Sequence, residues 1–179
     1  MDIDQRLNSI RLPSAFFGPL VALSFNLWWF AAVYWRDQVA LMLLGLWLVL
    51  CGLSPNRLRS LLLSLAFAAI GLSLELVLSL LGVYQFANQT LVPLWLIVLW
   101  LHFSFCLQHG FLFLCRLPLW QQSLAGAIAA AWSYFAAEAL GAVELPFGYL
   151  SSLSLIAGAW ALLLPLMLNI SKYYWSHEP

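Results

Sequence analysis

Two histidines and a cysteine share one face of a very apolar segment, WLHFSFCLQHGF. His102 and His109 are seven residues apart, a spacing that returns a helix to nearly the same angle, and Cys106 lies between them on that face. Imidazole and thiolate groups are ligands of zinc and copper. Because a single helix supplies the whole pattern, we predict that the chain holds no metal ion.

Other cofactor chemistries leave signatures that this sequence lacks. A bis-histidine haem needs imidazoles from two facing helices, whereas the third histidine, His177, lies in the carboxyl-terminal tail. A di-iron site needs Glu-x-x-His pairs, and a nucleophile elbow needs G-x-S-x-G; the sequence contains neither. Zero net charge with scattered basic residues argues against nucleic-acid binding. We therefore predict no cofactor and no nucleic-acid partner.

Few polar side chains interrupt the apolar segments. An ionisable group at the centre of a membrane helix costs about 2.5 to 3.5 kcal/mol on insertion scales, so each is a hypothesis for a site. Glu75 lies near the middle of its segment, where a functional role and a structural hydrogen bond are both open. Glu138 lies about one turn from the end of its segment, where a solvated or packing role is sufficient. The complete set is Asn26, Glu75, His102, Gln108, His109 and Glu138.

The composition that surrounds these groups is that of a membrane protein. Apolar residues make up 64% of the 179 residues and charged residues only 8%, which nearly excludes a water-soluble fold. We predict an all-α, polytopic bundle in a single membrane domain, 1–179. The first segment is too long, and ends in too many aromatic residues, for a cleavable signal, so we expect it to be retained. The predicted spans are about 14–35, 39–53, 60–83, 91–115, 119–140 and 148–170.

The basic residues predict how these spans are threaded, because Lys and Arg in short loops stay in the cytoplasm. With six spans, six of the seven Lys and Arg residues fall on one side and only Arg36 falls on the other. If the short second span were re-entrant, five spans would remain and the asymmetry would be lost. We therefore predict six spans with both termini cytoplasmic. The cytoplasmic basic residues are Arg6, Arg11, Arg57, Arg59, Arg116 and Lys172.

Three stretches carry a resemblance to a known family: LGVYQF, VPLWLIVLWLHFSFCLQHGF and SYFAAEALGAVELPFG. Through them the chain resembles, from about residue 26 to residue 168, a family of uncharacterised bacterial inner-membrane proteins classed as a domain of unknown function. The family's acidic residue in the third span, usually an aspartate, falls on Glu75. His102 stands where the family is typically apolar. The resemblance therefore favours Glu75, His109 and Tyr134 as the shared polar set.

The resemblance implies a role connected with lipids, since members of the family lie near genes for fatty-acyl or phospholipid modification. In one hypothesis the protein is an accessory or binding component of such a system, and its partners are membrane lipids and other membrane or lipid-modifying proteins. In the other, it is an enzyme or proton-coupled carrier that uses Glu75 and His109. Catalytic candidates are Glu75, His109 and Tyr134; binding candidates are Glu75, His102, Gln108, His109, Tyr134 and Glu138.

We favour the binding hypothesis because a proton relay needs a chain of groups that leads to water. On the inner side of the membrane the sequence offers mainly His109, Gln108 and Arg116 for such a chain. These few groups are a poor path for protons, whereas a lipid headgroup or a partner helix needs only a polar face. An enzyme or carrier nevertheless stays open at this point.

The threading generates a first prediction. A reporter that is active only in the periplasm should be active when fused after Asp37, near Asn88 or near Glu144. It should be silent when fused after Arg57 or Arg116, because the basic residues hold those loops in the cytoplasm. Enzyme assays on whole cells measure the reporter activity of both sets of fusions. Reporter activity at the carboxyl terminus would contradict the six-span threading.

Overall fold

The structure, a computed structural model, describes residues 14–54, 56–87 and 91–176, and side chains within 18–54, 56–87 and 91–173. Arg6, Arg11, Asn88 and His177 lie outside the described residues. The predicted all-α fold is confirmed. The helices are α1 Ser14–Trp35, α2 Asp37–Leu53, α3 Arg57–Leu80, α4 Leu94–His109, α5 Leu119–Ala139 and α6 Gly148–Ser176; a 3-10 helix covers Leu112–Arg116, and two short strands are β1 Gln85–Phe86 and β2 Val143–Glu144.

Three contacts join the ends of neighbouring segments at one end of the bundle, here called the Arg36 end. The Asp37 carboxylate accepts a hydrogen bond of 2.9 Å from the backbone N–H of Trp95, which joins the start of α2 to the start of α4. The Arg36 guanidinium donates to the carbonyl of Leu140 at 3.2 Å, which joins the end of α1 to the end of α5. Strands β1 and β2, which follow α3 and α5, pair antiparallel. Successive helices therefore run in opposite directions.

The remaining helix ends meet at the opposite end, here called the Arg57 end. The ring Nε2 of His109, at the end of α4, lies 2.9 Å from the hydroxyl of Ser60 in the first turn of α3. Ser54, which follows α2, lies 2.6 Å from the same hydroxyl. Cys115 of the 3-10 helix donates to the carbonyl of Leu168 in α6. The described basic residues divide accordingly, with Arg36 at its own end and Arg57, Arg59, Arg116 and Lys172 at the other.

Helix α4 lies at the centre of the bundle, packed against α1, α2 and α3. Apolar residues occur on every face of α4, which fits its contacts with several other helices, and eleven of its sixteen residues are buried. The predicted span 91–115 is longer than the observed helix, which ends at His109. The N–H groups of Gly110 and Phe111 both bond to the carbonyl of Cys106 at 2.8 Å, which closes the helix. Gly110 is needed there, since an added Cβ would lie 2.7 Å from the backbone nitrogen of Ala22 in α1.

Helix length and hydropathy support the membrane prediction in coarse form. Helices α3 and α6 are long and apolar enough to cross a membrane. Helices α2 and α4 are apolar but shorter, with 17 and 16 residues. The described residues thus contain two helices that qualify as membrane spans by length and composition, alongside two shorter apolar ones.

The α5–α6 pair is the most extensive helix contact in the fold, and a glycine sets its closeness. A Cβ added at Gly126 would lie 2.5 Å from the carbonyl oxygen of Trp160 and 2.9 Å from Cβ of Leu164. Small residues allow this kind of backbone approach between helices in membranes. The spacing of α5 and α6 therefore depends on the missing side chain at position 126.

This packing generates a second prediction. Gly126→Ala should lower the free energy of unfolding by about 1–3 kcal/mol, because the new methyl group forces α5 and α6 apart. Gly45→Ala in α2 is the matched control: nothing lies within 4 Å of its added Cβ, and alanine favours helix more than glycine does. Unfolding by SDS titration in mixed micelles measures both variants. Equal stability of the two would show that Gly126 does not set the helix spacing.

Candidate functional site

Of the Asp, Glu, Lys and Arg residues that the structure describes, only Glu75 is buried, with 1% of its surface exposed. Its carboxylate Oε2 accepts hydrogen bonds from the phenol groups of Tyr84 and Tyr134. The indole of Trp100 donates a third bond to the carboxylate. Such donors replace the hydrogen bonds to water that a carboxyl group loses when it is buried. These four residues, Glu75, Tyr84, Trp100 and Tyr134, are called the Glu75 cluster.

Tyr84 reaches the carboxylate because the chain reverses sharply after α3. Gly82 has a φ of 73°, a left-handed conformation that glycine adopts without strain. The N–H of Val83 bonds back to the last turn of α3, and Ser152 of α6 donates to the carbonyl of Val83 at 2.6 Å. Burial and the neighbouring carboxylate raise the pKa of Tyr84. Its phenol therefore stays protonated and remains a hydrogen-bond donor.

Tyr134 and Trp100 arrive from α5 and α4. The rings of Tyr134 and Tyr84 are 4.8 Å apart at their centroids, so the two phenols approach the carboxylate side by side. The Trp100 ring lies against Gly71, which precedes Glu75 by one turn of α3. A Cβ added at Gly71 would be 2.0 Å from this ring, so glycine makes the room that the indole occupies. Segments from three different parts of the chain thus converge on one carboxylate.

A cavity of about 110 Å³ adjoins the Glu75 cluster. Helices α1, α4 and α5 form most of its wall, and Trp160 of α6 completes it. Glu75, Ser133 and Tyr134 supply polar groups, and the remaining lining is aliphatic and aromatic. The aromatic lining residues besides Tyr134 are Phe25, Trp29, Phe86, Trp95, Trp100, Phe103 and Trp160.

The exposure of the lining residues places the opening of the cavity between α1 and α5. Phe25 and Trp29 on the α1 side are half-buried, and Ala129 on the α5 side is exposed. Phe86 and Trp95 are buried and close the cavity toward the Arg36 end. Helix α1 packs on α2 and α4, while α5 packs on α6, so these two groups of helices border the opening.

His102 faces α1 and not the Glu75 cluster. It is fully buried, and its Nε2 lies 3.2 Å from the hydroxyl of Ser24 and 3.5 Å from the sulfur of Cys106. Its ring stacks on that of Trp28, with centroids 3.9 Å apart. The other ring nitrogen, Nδ1, has no hydrogen-bond partner among the described residues. These contacts are those of an imidazole packed in a helix interface.

His109 and Gln108 belong to a second polar group at the Arg57 end. His109 is bonded to Ser60, and the Gln108 amide donates to the hydroxyl of Ser64 at 3.0 Å. Positions 60 and 75 lie on the same helix, about 22 Å apart at 1.5 Å per residue. His109 is therefore remote from the Glu75 cluster, and the predicted set of Glu75, His109 and Tyr134 divides into one close pair and one distant residue.

Glu138 lies at the edge of the α5–α6 interface. It is half-buried and accepts a hydrogen bond of 2.7 Å from the phenol of Tyr149, which is exposed. Asn26 is exposed on α1. Neither residue is among the described residues that line the cavity. These two polar residues therefore do not join the Glu75 cluster.

Sequence reasoning did not select two members of the cluster, Tyr84 and Trp100. A usable signal existed for Tyr84, because a glycine at the end of a helix turns the next residues back onto that helix. Trp100 gave no such signal. The chain has ten tryptophans, and tryptophan is common at membrane interfaces. Nothing in the sequence therefore distinguishes Trp100 from the others.

The described residues contain no group of three or more His, Cys, Asp or Glu side chains close enough to hold a metal ion. Cys106 does contact His102, but His109 is bonded to Ser60 in α3. The linear pattern of two histidines and a cysteine is thus divided between two different sets of contacts. The arrangement that the structure offers for chemistry is the Glu75 cluster with its cavity.

The family described as "Protein of unknown function (DUF2878)" matches residues 19–166, most of the chain. The chain belongs to this family. The predicted resemblance to a family without an assigned activity is confirmed, and the matched region contains the whole Glu75 cluster. No curated protein and no solved structure matches the chain. What the family's members do must therefore be argued from the site itself.

The cluster generates a third prediction. Tyr134→Phe should lower the free energy of unfolding by about 1–3 kcal/mol, because it removes one of the hydrogen-bond donors of a buried carboxyl group. Tyr149→Phe is the matched control, since it removes a bond from the same residue type to Glu138 at an exposed position and should change stability little. SDS titration in mixed micelles compares them. Equal losses in the two variants would contradict a special role for the buried carboxylate.

Proposed function

We propose that this protein is a multi-pass protein of the bacterial inner membrane that binds a membrane lipid as an accessory component of lipid modification. In this proposal all six helices cross the membrane, and both termini are cytoplasmic. The alternating helix directions support the threading, because they collect Arg57, Arg59, Arg116 and Lys172 at one end and leave Arg36 at the other. The Arg57 end is then cytoplasmic.

Outward-facing apolar side chains support more than two crossing helices. Large contiguous apolar patches are rare on soluble proteins and mark contact with lipid or with a partner. On α5 the exposed residues recur at helical spacing, which makes one continuous stripe. Comparable exposed residues occur on α1 and α6. The stripes are Leu124, Ile128, Trp132 and Phe135 on α5; Leu20, Leu23, Leu27 and Phe30 on α1; and Leu150, Leu155, Leu162 and Leu166 on α6.

The two short helices are compatible with crossing the membrane. Helices α2 and α4 are about 25 Å and 24 Å long at 1.5 Å per residue, against a hydrocarbon core of about 30 Å. Helix α4 is enclosed by its neighbours, so its length need not match the lipid. Helix α2 lies at the edge, where local thinning of the bilayer accommodates a short span at modest cost.

The observation that carries the lipid proposal is the cavity beside the Glu75 cluster. It opens between α1 and α5, which is the direction from which a molecule in the bilayer arrives. Its wall is mainly apolar with a few polar groups at one place, the usual composition of a ligand site. Its volume of about 110 Å³ is smaller than the roughly 300–1,000 Å³ of sites for drug-sized ligands. It therefore suits one end of a lipid and not the whole molecule.

Binding is favoured over catalysis by the positions of the polar groups. The Glu75 carboxylate already accepts three hydrogen bonds, which fits a structural or ligand-facing charge. Proton exchange between Glu75 and His109 would need groups that bridge about 22 Å along α3. A lipid-binding component needs only the cavity and its opening. In this role the protein would hold a lipid for membrane proteins that modify it.

The proposal generates a fourth prediction. Ala129→Trp should reduce the lipid that co-purifies with the protein at least tenfold, about 1.4 kcal/mol of binding free energy, because the indole fills the opening. Ile128→Trp, at the neighbouring position on the outward stripe, is the matched control and should retain lipid. Mass spectrometry of lipid extracts, expressed per mole of protein purified in mild detergent, measures both. If wild type and Ala129→Trp retain the same amount, the cavity is not a lipid site.

A further inference from the structure

We propose that the cavity beside the Glu75 cluster binds the ammonium group of an amphiphile, and that Glu75 is its counter-ion. The inference rests on the proposed lipid-binding function and names the chemistry of the group that enters the cavity. Phosphatidylethanolamine and single-chain amines both carry such a group on an apolar chain. They share one recognition chemistry and differ in their source.

The absence of a cation beside Glu75 among the described residues is the first argument. Its hydrogen-bond donors are two phenols and an indole, all of which are uncharged. Among the described residues that line the cavity, none is Lys, Arg or His. Acidic groups at membrane depth usually pair with a positive charge or act as the counter-ion of a ligand. The donors orient the carboxyl group but bring no positive charge, so an ammonium group in the cavity would be the cation that balances its ionised form.

The aromatic walls are the second argument. A cation is attracted to the face of Trp, Tyr or Phe within about 6 Å of the ring centroid, and more strongly where water is excluded. The rings around this cavity come from α1, α4, α5, α6 and β1, so they surround the space beside Glu75 on several sides. Aromatic rings of this kind form the cages that recognise quaternary ammonium ligands. A neutral apolar group would gain nothing from the carboxylate.

The size and the surroundings of the cavity select which end of a lipid enters. The cavity, at about 110 Å³, is small beside the roughly 300–1,000 Å³ of sites for drug-sized ligands. A small ammonium headgroup fits in that space, and its chain leaves through the opening between α1 and α5. A phosphate or carboxylate headgroup without an ammonium would meet the Glu75 carboxylate and no basic partner in the described lining.

Native mass spectrometry of the full chain in detergent tests the inference. Wild-type protein is offered equal amounts of phosphatidylethanolamine and phosphatidylglycerol with identical acyl chains, and we expect at least a tenfold preference for phosphatidylethanolamine. Glu75→Gln should abolish the preference, because an amide has no negative charge. Glu144→Gln, an exposed carboxylate on β2 outside the cavity lining, should retain it.

A second arm identifies the source of the ammonium group. Dodecyltrimethylammonium should raise the unfolding temperature of the wild-type protein, whereas dodecanol, which has the same chain without the charge, should not. A rise in the unfolding temperature with the amine, without a preference between the two lipids, indicates a free amphiphilic amine. A rise with the amine together with a preference for phosphatidylethanolamine indicates the lipid headgroup. Either result supports ammonium recognition.

Two further variants keep the test decisive if Glu75→Gln fails to accumulate. Glu75→Asp retains the charge and should retain the preference. Trp29→Leu, at the half-buried edge of the opening, should reduce the preference several-fold by weakening the binding of phosphatidylethanolamine and not that of phosphatidylglycerol. Loss of the cation–aromatic contact is the reason.

Two results would overturn the inference: equal binding of both lipids together with no effect of the amine, or a preference that survives in Glu75→Gln and Trp29→Leu. If lipid still co-purifies and Ala129→Trp still removes it, the proposed function stands without ammonium recognition. If wild-type protein retains no lipid of either kind, the proposed function itself fails.

Discussion

One buried carboxylate constrains most of this fold. Glu75 is held within the bundle by hydrogen bonds from Tyr84, Trp100 and Tyr134, which come from the turn after α3, from α4 and from α5. Leaving such a polar group without hydrogen-bond partners would cost several kcal/mol in an apolar interior. These segments must therefore meet at one depth, and the turn after α3 must fold back over the helix that it leaves.

Polar contacts at the Arg36 end hold together the segments that supply the hydrogen-bond donors of Glu75. Arg36 adopts a φ of 54°, which is uncommon for a residue other than glycine, and its guanidinium donates to carbonyls at the end of α5. The Asp37 carboxylate accepts a hydrogen bond from the backbone N–H of Trp95 in the first turn of α4, and the paired strands connect the segments after α3 and α5. The cavity lies just inside this end, with its opening on the side between α1 and α5.

Much of the architecture follows from patterns that are visible in the sequence. Apart from the ends of α4 and α6, the bounds of the six helical segments were predicted to within about three residues, because long apolar runs separated by charges and prolines have few alternatives. The importance of Glu75 and Tyr134 was inferred from the cost of an acid in an apolar helix and from the family resemblance. Gly110 lies against the backbone of Ala22, where a larger residue would not fit. The end of α4 was misjudged, since the apolar run continues past it.

The sequence by itself determined the composition, the order of the helices and the small number of polar groups inside them, because these depend on local patterns of hydropathy and charge. Only the tertiary structure decided which polar groups meet. Helical spacing put His102, Cys106 and His109 on one face, but α1 packs on the first part of that face and α3 bonds to its end. The partners of Glu75 come from distant positions in the chain, and such pairings depend on how helices pack in three dimensions, which no local spacing encodes.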